Sequence, residues 1–320
     1  MVLPMDSMAI TLLAWPLAML LDFFYGEYPN RFHPVVWMGR TISWGEKIFL
    51  GRGRKWEFLG GCLMVLVIPS FFAFFAWKSI DALSGHFLLQ LLLATFWLKA
   101  SFALNALGAA AQEVRRHLIS GDIQGARQEL RSLCSRNADQ LSEEELTEAS
   151  ISSLAENLSD SVIAPWFFAA LFGVPGAIFY RAINTMDAMI GYKNHFRHLG
   201  CAAARTDDLL NFVPARLTTL FLLGAGALQR LRIAARIYPS IHQAWIVTYR
   251  DHGKTPSPNG GWPMASMAGL LGISLRKGDV YTLGIRRQPS ELHLMGEAWR
   301  LASTAAWLAW PMFLLMGAIR

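Results

Sequence analysis

Residues 58–77 read FLGGCLMVLVIPSFFAFFAW, twenty consecutive positions without a charge. A helix rising 1.5 Å per residue needs about 20 such residues to cross hydrocarbon about 30 Å thick. The run therefore predicts a transmembrane helix, with Trp56 and Trp77 at its two interfaces. Lipid offers backbone N–H and C=O groups no partner, so only helices and closed barrels span it. No alternating ten-residue strands accompany the run. The expected fold is all-α: a polytopic integral membrane protein.

Five further stretches extend this reading. Residues 10–25 carry Asp22 near their end, without a basic leader or a small-residue cleavage site, and read as a retained anchor. Residues 87–111 carry Lys99. Residues 162–180 are interrupted by Gly173, Pro175 and Gly176; 212–228 carry Pro214 and Arg216 near their start; 301–319 close the chain. About four to six membrane helices are expected, some broken or re-entrant, with sizeable cytoplasmic loops, in a single membrane domain over 1–320.

Composition agrees. Hydrophobic residues make up 53% and charged residues 16%, against about a quarter charged in soluble chains. Twenty Phe and twelve Trp exclude intrinsic disorder. Cys62, Cys134 and Cys201 spell no metal or redox motif and read as packing residues. The net charge of +6 comes with no zinc-finger spacing, RNP-like run or Lys/Arg block. Lipid, rather than nucleic acid, is the expected partner of that charge.

Basic residues set the topology. Loop 26–57 holds Arg31, Arg40, Lys47, Arg52, Arg54 and Lys55; loop 78–86 holds only Lys78; loop 112–161 holds five basic residues and 229–300 ten. The positive-inside rule places all but 78–86 in the cytoplasm. Gly/Pro interruption favours a dip and return for 162–228, which keeps the intervening loop near the cytoplasmic face.

Four polar clusters carry the chemistry. The first is Asp22, Gly26, Glu27, Tyr28, Pro29, His33, Pro34 and Gly39. A carboxylate in an apolar stretch is costly, so Asp22 is a functional candidate, the alternative being a helix end at the interface. His33 is a weaker candidate. The second begins with the capping box Ser142 and Glu145. The acidic run Glu143–Glu148 reads as a solvated face, whereas Glu156 and Asp160, four apart, suit one Mg²⁺ completed by water. The third holds Asn184, Asp187, Gly191, Lys193 and Asn194, followed by Asp207, Asp208 and Asn211. Such groups between membrane segments must pair with one another or line a wet cavity. The fourth runs from Lys254 through Ser257, Asn259 and Gly260 to Pro263, which opens a helix. It reads as an anion cradle of N–H groups, or else as a rigid loop. Gly253-Lys254-Thr255 is not a P-loop, because position 248 is Thr.

The strings 155–160 (AENLSD), 184–187 (NTMD) with 191–194 (GYKN), 203–208 (AARTDD) with 214–217 (PARL), and 257–259 (SPN) with 261–263 (GWP) follow one another in this order. In that order they resemble the CobD/CbiB family of cobalamin biosynthesis, as does the N-terminal cluster. The resemblance implies an adenosylcobinamide-phosphate synthase of the bacterial inner membrane. Such an enzyme joins adenosylcobyric acid to (R)-1-amino-2-propanol O-2-phosphate through an amide, using ATP and Mg²⁺. Corrinoid and amino-alcohol phosphate are then the substrates, and a homo-oligomer is left open. The resemblance marks Asp22, Asp187, Asp207, Asp208, Lys193 and Asn194 as catalytic candidates. It marks His33, Asn184, Arg205, Lys254, Ser257 and Asn259 as substrate or phosphate ligands, and Glu156 and Asp160 as the metal pair. Departures stand at Glu27 (usually Asp), Asn137 (Asp), Ser161 (Gly) and Met264 (Glu). They imply the alternative of a catalytically altered paralogue acting as an AmpE-like membrane sensor or regulator. A transporter is disfavoured, since no internal repeat is visible.

Overall fold

The structure, a computed structural model, describes residues 5–134, 138–192, 195–232 and 239–319. Lys193, Asn194 and Asn137 lie outside the described residues. In chain order the helices are α1 Met5–Tyr25, α2 Pro34–Phe49, α3 Arg54–Asp81, α4 Phe87–Ser101, α5 Leu104–Ile119, α6 Ile123–Leu133 and α7 Glu143–Leu158. They continue as α8 Ala164–Ile190, α9 Cys201–Leu210, α10 Phe212–Arg232, α11 Ile241–Asp251, α12 Gly261–Leu271 and α13 His293–Ala318. Among the described residues, six helical stretches are long and apolar enough to cross a membrane. The protein is an all-α polytopic membrane protein. The chain forms two compact units: residues 1–103, 164–211 and 311–320, and residues 104–163 and 212–310.

In the first unit, α3 shows how its sequence is used. Met64, Ile68, Phe72 and Ala76 face a core shared with Met38 and Ile42 of α2, Trp97 of α4, and Ile178 and Met186 of α8. Leu59, Leu63, Leu66, Phe71 and Phe74 point outward and are exposed. An apolar face this large is costly in water and suits lipid. The apolar stretch 87–111 is not one helix: Phe102 is extended (φ −131°, ψ 164°) and ends α4.

Gly173 divides α8. It adopts φ 70°, ψ −165°, a left-handed conformation that favours glycine. The Phe168 and Tyr180 rings stack with centroids 5.1 Å apart and planes 11° apart. Twelve residues along a straight helix separate two positions by about 18 Å. The arms 164–172 and 174–190 therefore fold back on each other as a helical hairpin. Its tip, Gly173 to Pro175, lines a cavity with Trp77, Asp81 and Gln90. Gly191 and Tyr192, beyond its other end, line a cavity with Arg54 and Lys55. The tip thus sits at the Asp81 end of α3, and the segment after α8 at the basic Arg54 end.

In the second unit, the capping box predicted at Ser142 and Glu145 opens α7. A π-helical turn, Ser159–Ile163, follows it. From 146 to 163 only Glu156, Asn157, Asp160 and Ser161 escape full burial. The acidic run is not wholly solvated as its sequence suggested. Glu148 is 1% exposed and accepts hydrogen bonds from the Arg276 backbone N–H (3.1 Å), the Arg276 guanidinium and the Ser290 hydroxyl. A carboxylate tolerates such burial only when paired in this way. Arg276 belongs to a hairpin, Ser274–Lys277 against Tyr281–Gly284, the sheet among the described residues. Helix α12 is apolar nearly all round, and every residue but Trp262 is buried.

Candidate functional site

The polar strip of the second unit stands out by its setting. Glu156, Asn157, Asp160 and Ser161 share one face of an otherwise buried helix. Asn157 is held by donating to the carbonyls of Leu133 (3.2 Å) and Ser153 (2.9 Å). The Glu156 carboxylate abuts Gly260, the cap of α12, where a Cβ would lie 2.8 Å from Oε1. A side chain at position 260 would push the carboxylate away. Glu156 of the expected metal pair and the Pro/Gly-rich loop, distant in sequence, therefore meet.

The loop is pre-formed. The Ser257 hydroxyl accepts from the N–H groups of Asn259 (3.2 Å) and Gly260 (3.5 Å), so part of the expected cradle is satisfied within the loop itself. Asn259 is 4% exposed and accepts from the Arg216 guanidinium at 3.2 Å. Arg216 lies over the rings of Phe212 (3.6 Å) and Trp262 (4.9 Å). The sequence reading did not select Arg216. Its signal was a cation near the start of an apolar stretch, which needs a partner inside the protein.

Lys254 sits one turn from this loop and is paired with Asp251 at 2.6 Å. Asp251 is fully buried and also binds Arg250 and the Gly284 N–H (2.8 Å). Burial disfavours its charge, but these three donors outweigh it and hold its pKa down at about 2. Asp251 thus joins α11 to the hairpin, and Lys254 is tied to that carboxylate in addition to any ligand role.

In the first unit, Asn184 and Asp207 meet. Asn184 donates to one Asp207 oxygen (3.3 Å) and Asn211 to the other (2.9 Å), while the Tyr180 hydroxyl donates to Asn211 (2.8 Å). Asp207 and Asn211 are buried, Asn184 half-buried. Asp187 lies on the last turn of α8, its carbonyl accepting from the Gly191 N–H. Asp208 faces away from this network into the cavity with Arg205.

Asp22, 2% exposed, lies 3.2 Å from Lys99, which is wholly buried. Lys99 also donates to Glu27 (2.9 Å). His33 caps α2, its Nδ1 accepting from the Val35 N–H, so Nε2 carries the proton and donates to Glu27 at 2.7 Å. Burial disfavours the Glu27 charge, but His33 and Lys99 prevail and hold its pKa below the usual value.

Among the described residues, no three His, Cys, Asp or Glu side chains converge as a metal site. Two carboxylates at Glu156 and Asp160 fit Mg²⁺ as that ion is commonly held, by one or two carboxylates plus water and substrate phosphate.

The family model described as CobD/Cbib protein matches residues 15–304. A protein of Dehalococcoides mccartyi named cobalamin biosynthesis protein CobD is 40% identical over 274 residues, covering 85% of this chain and 86% of its own length. Proteins named probable cobalamin biosynthesis protein CobD are 38% identical in Methanothermobacter thermautotrophicus (84% of this chain, 85% of its own) and 38% identical in Pyrococcus furiosus (86% and 89%). No solved structure matches. With a family match across nine-tenths of its length, and relatives aligned end to end over most of theirs, the chain belongs to the CobD/Cbib family.

Proposed function

We infer that this protein acts in cobalamin biosynthesis as an adenosylcobinamide-phosphate synthase in the cytoplasmic membrane of a bacterium. The reading is supported by its relatives' names and, above all, by one observation. Of the two accessible carboxylates on this buried helix, Glu156 and Asp160, Glu156 adjoins the start of α12 at Gly260. Activating a carboxylate with ATP requires charge neutralisation around transferring phosphoryl oxygens. Mg²⁺, when bound, would supply that neutralisation.

The chain's own groups then have distinct tasks. Glu156 and Asp160 hold the cation, and Asn157 keeps the helix face in register. Arg216 fixes Asn259, and Asn259 with Ser257 sets the loop against which a phosphate rests. The propionate carboxylate of adenosylcobyric acid attacks the terminal phosphorus of ATP, and ADP leaves. The amine of (R)-1-amino-2-propanol O-2-phosphate then attacks the acyl carbon, the amide forms and phosphate departs. Asp187, Asp207 and Asp208 are proposed to orient the amine and take its proton, with Lys193, Asn194, Arg205 and Lys254 as further substrate contacts and Asn184 and His33 as positioning groups. Asp22 is proposed to act through Lys99.

Membranes containing the protein, supplied with ATP, Mg²⁺, adenosylcobyric acid and the amino-alcohol phosphate, should yield adenosylcobinamide phosphate by mass spectrometry. Product that forms equally without ATP, or not at all, defeats the reading. The regulator alternative gains no support from the relatives' names.

A further inference from the structure

A cavity of about 910 Å³ lies within the first unit, lined by the start of α3, the segment after α8 and α9. Arg54 and Lys55 reach it from α3 and Arg197 from the segment after α8, and all three are exposed. Among the described residues, no ion pair or side-chain hydrogen bond holds any of them. Elsewhere the chain pairs even its exposed cations, as in Lys78 with Asp81, Arg116 with Glu113 and Arg131 with Asp139. Like charges gathered around one hollow repel one another, so the arrangement favours an anionic occupant. Guanidinium forks match phosphate oxygens in pairs.

What lies beside the cavity selects the kind of phosphate. Phe58 lines it one turn into α3 from Arg54 and is 46% exposed. Leu59, Leu63 and Leu66, all exposed, continue from there at helical spacing as an apolar stripe. Trp56, 65% exposed, stands between the cations and the stripe, as indole rings do at headgroup depth. A soluble phosphate engages the cations alone. A phospholipid engages both features, its phosphate on the cations and its acyl chains along the stripe. The basic end of a membrane helix marks the cytoplasmic side, whose leaflet carries the anionic lipids.

We propose that this cavity holds the headgroup of an anionic phospholipid of the cytoplasmic leaflet, its phosphate bound by Arg54, Lys55 and Arg197. Arg205 and Asp208 line the same cavity from α9 and remain the substrate contacts proposed above, a role that none of the three lipid-binding cations shares. The lipid site lies wholly in the first unit and is independent of the synthase reading.

The test uses the full chain in nanodiscs of phosphatidylcholine alone, and of phosphatidylcholine with rising shares of phosphatidylglycerol. Alkylation of Cys201, which lines the cavity, by an uncharged maleimide is followed peptide by peptide. Phosphatidylglycerol should slow it, whereas millimolar glycerol phosphate added to phosphatidylcholine discs should not. Arg54→Gln and Arg197→Gln should each need on the order of fivefold more phosphatidylglycerol for the same protection. Lys78→Gln, at the far end of α3, should need no more than the wild type. All three positions are exposed, so the variants should keep the wild-type Tm. Equal reactivity of Cys201 in all discs overturns the proposal. So does protection that survives in both arginine variants, because a general effect of an anionic surface depends on neither side chain. Equal protection by glycerol phosphate assigns the cavity to a soluble phosphate and rejects the lipid. Amide formation by the same preparation judges the synthase reading separately.

Discussion

Lys99 Nζ, wholly buried in α4, lies 2.9 Å from a Glu27 oxygen that belongs to the segment after α1. The same ammonium reaches Asp22 at 3.2 Å, so one cation compensates two acids. Lys99→Met should strand both carboxylates and cost about 3–5 kcal/mol, visible as a large fall in Tm in detergent. Glu27→Gln should cost less. Since the folded pKa of Glu27 is depressed below 4.5, its stabilisation is complete above that value and is lost as pH falls through the lower folded value. A Tm that declines below pH 4.5 in the wild type and is flatter in Glu27→Gln fits this sign. Equal acid sensitivity of the two removes Glu27 from the account.

Glu156→Gln and Asp160→Asn keep side-chain shape and remove the charge that holds Mg²⁺. Amide formation should fall by about a hundredfold or more, the scale of losing one well-placed electrostatic group in a catalytic site. Tm should stay near wild type, because both residues are half-exposed. Normal turnover by either variant at saturating Mg²⁺ sinks the metal pair.

Arg216 holds Asn259 at 3.2 Å while lying over Phe212 and Trp262. Arg216→Lys preserves charge but loses the planar fork and the stacking. One charge-assisted hydrogen bond contributes about 1.5–3 kcal/mol. The variant should raise KM for a phosphorylated substrate roughly tenfold or more. A change confined to kcat, with KM untouched, contradicts the positioning role.

The hairpin of α8 sets sidedness. In a chain freed of its three native cysteines, cysteines placed at Trp44 and at Ala188 should react with an impermeant reagent from the same face, and one at Ser84 from the opposite face. Opposite labelling of positions 44 and 188 is incompatible with the hairpin. Gly173→Ala, forced to φ 70°, should cost about 1–2 kcal/mol.

What the sequence conveyed depended on range. The span 58–77 was legible because length and apolarity are local properties, and α3 contains it. Interruption at Gly173 was legible as well, but reversal of direction was not, since it depends on Phe168 meeting Tyr180. Glu148 was assigned to water because its neighbours are acidic; its partner Arg276 lies 128 positions away. The meeting of Glu156 with Gly260 was hidden for the same reason. Asn184 and Asp207 belonged to a polar group expected to pair internally or to line a wet cavity, and which partner each would take was not legible. The cavity beyond α8 brings Arg54 and Lys55, counted only as topology markers, together with Arg205, a phosphate candidate by resemblance.

The single-glycine turn of α8 also bears on how the chain enters the bilayer during synthesis. Phe172, Gly173, Val174 and Pro175 at its tip carry no charge. Two crossings joined by a hydrophilic loop require that loop to be pulled through hydrocarbon. Here no such cargo exists, so both arms can leave the translocon sideways as one pre-paired wedge. Arg181, Asn184 and Asp187 follow the tip on the returning arm and remain toward the face from which the wedge started. The acidic and amide groups on which chemistry is proposed to depend would never need to traverse the bilayer interior.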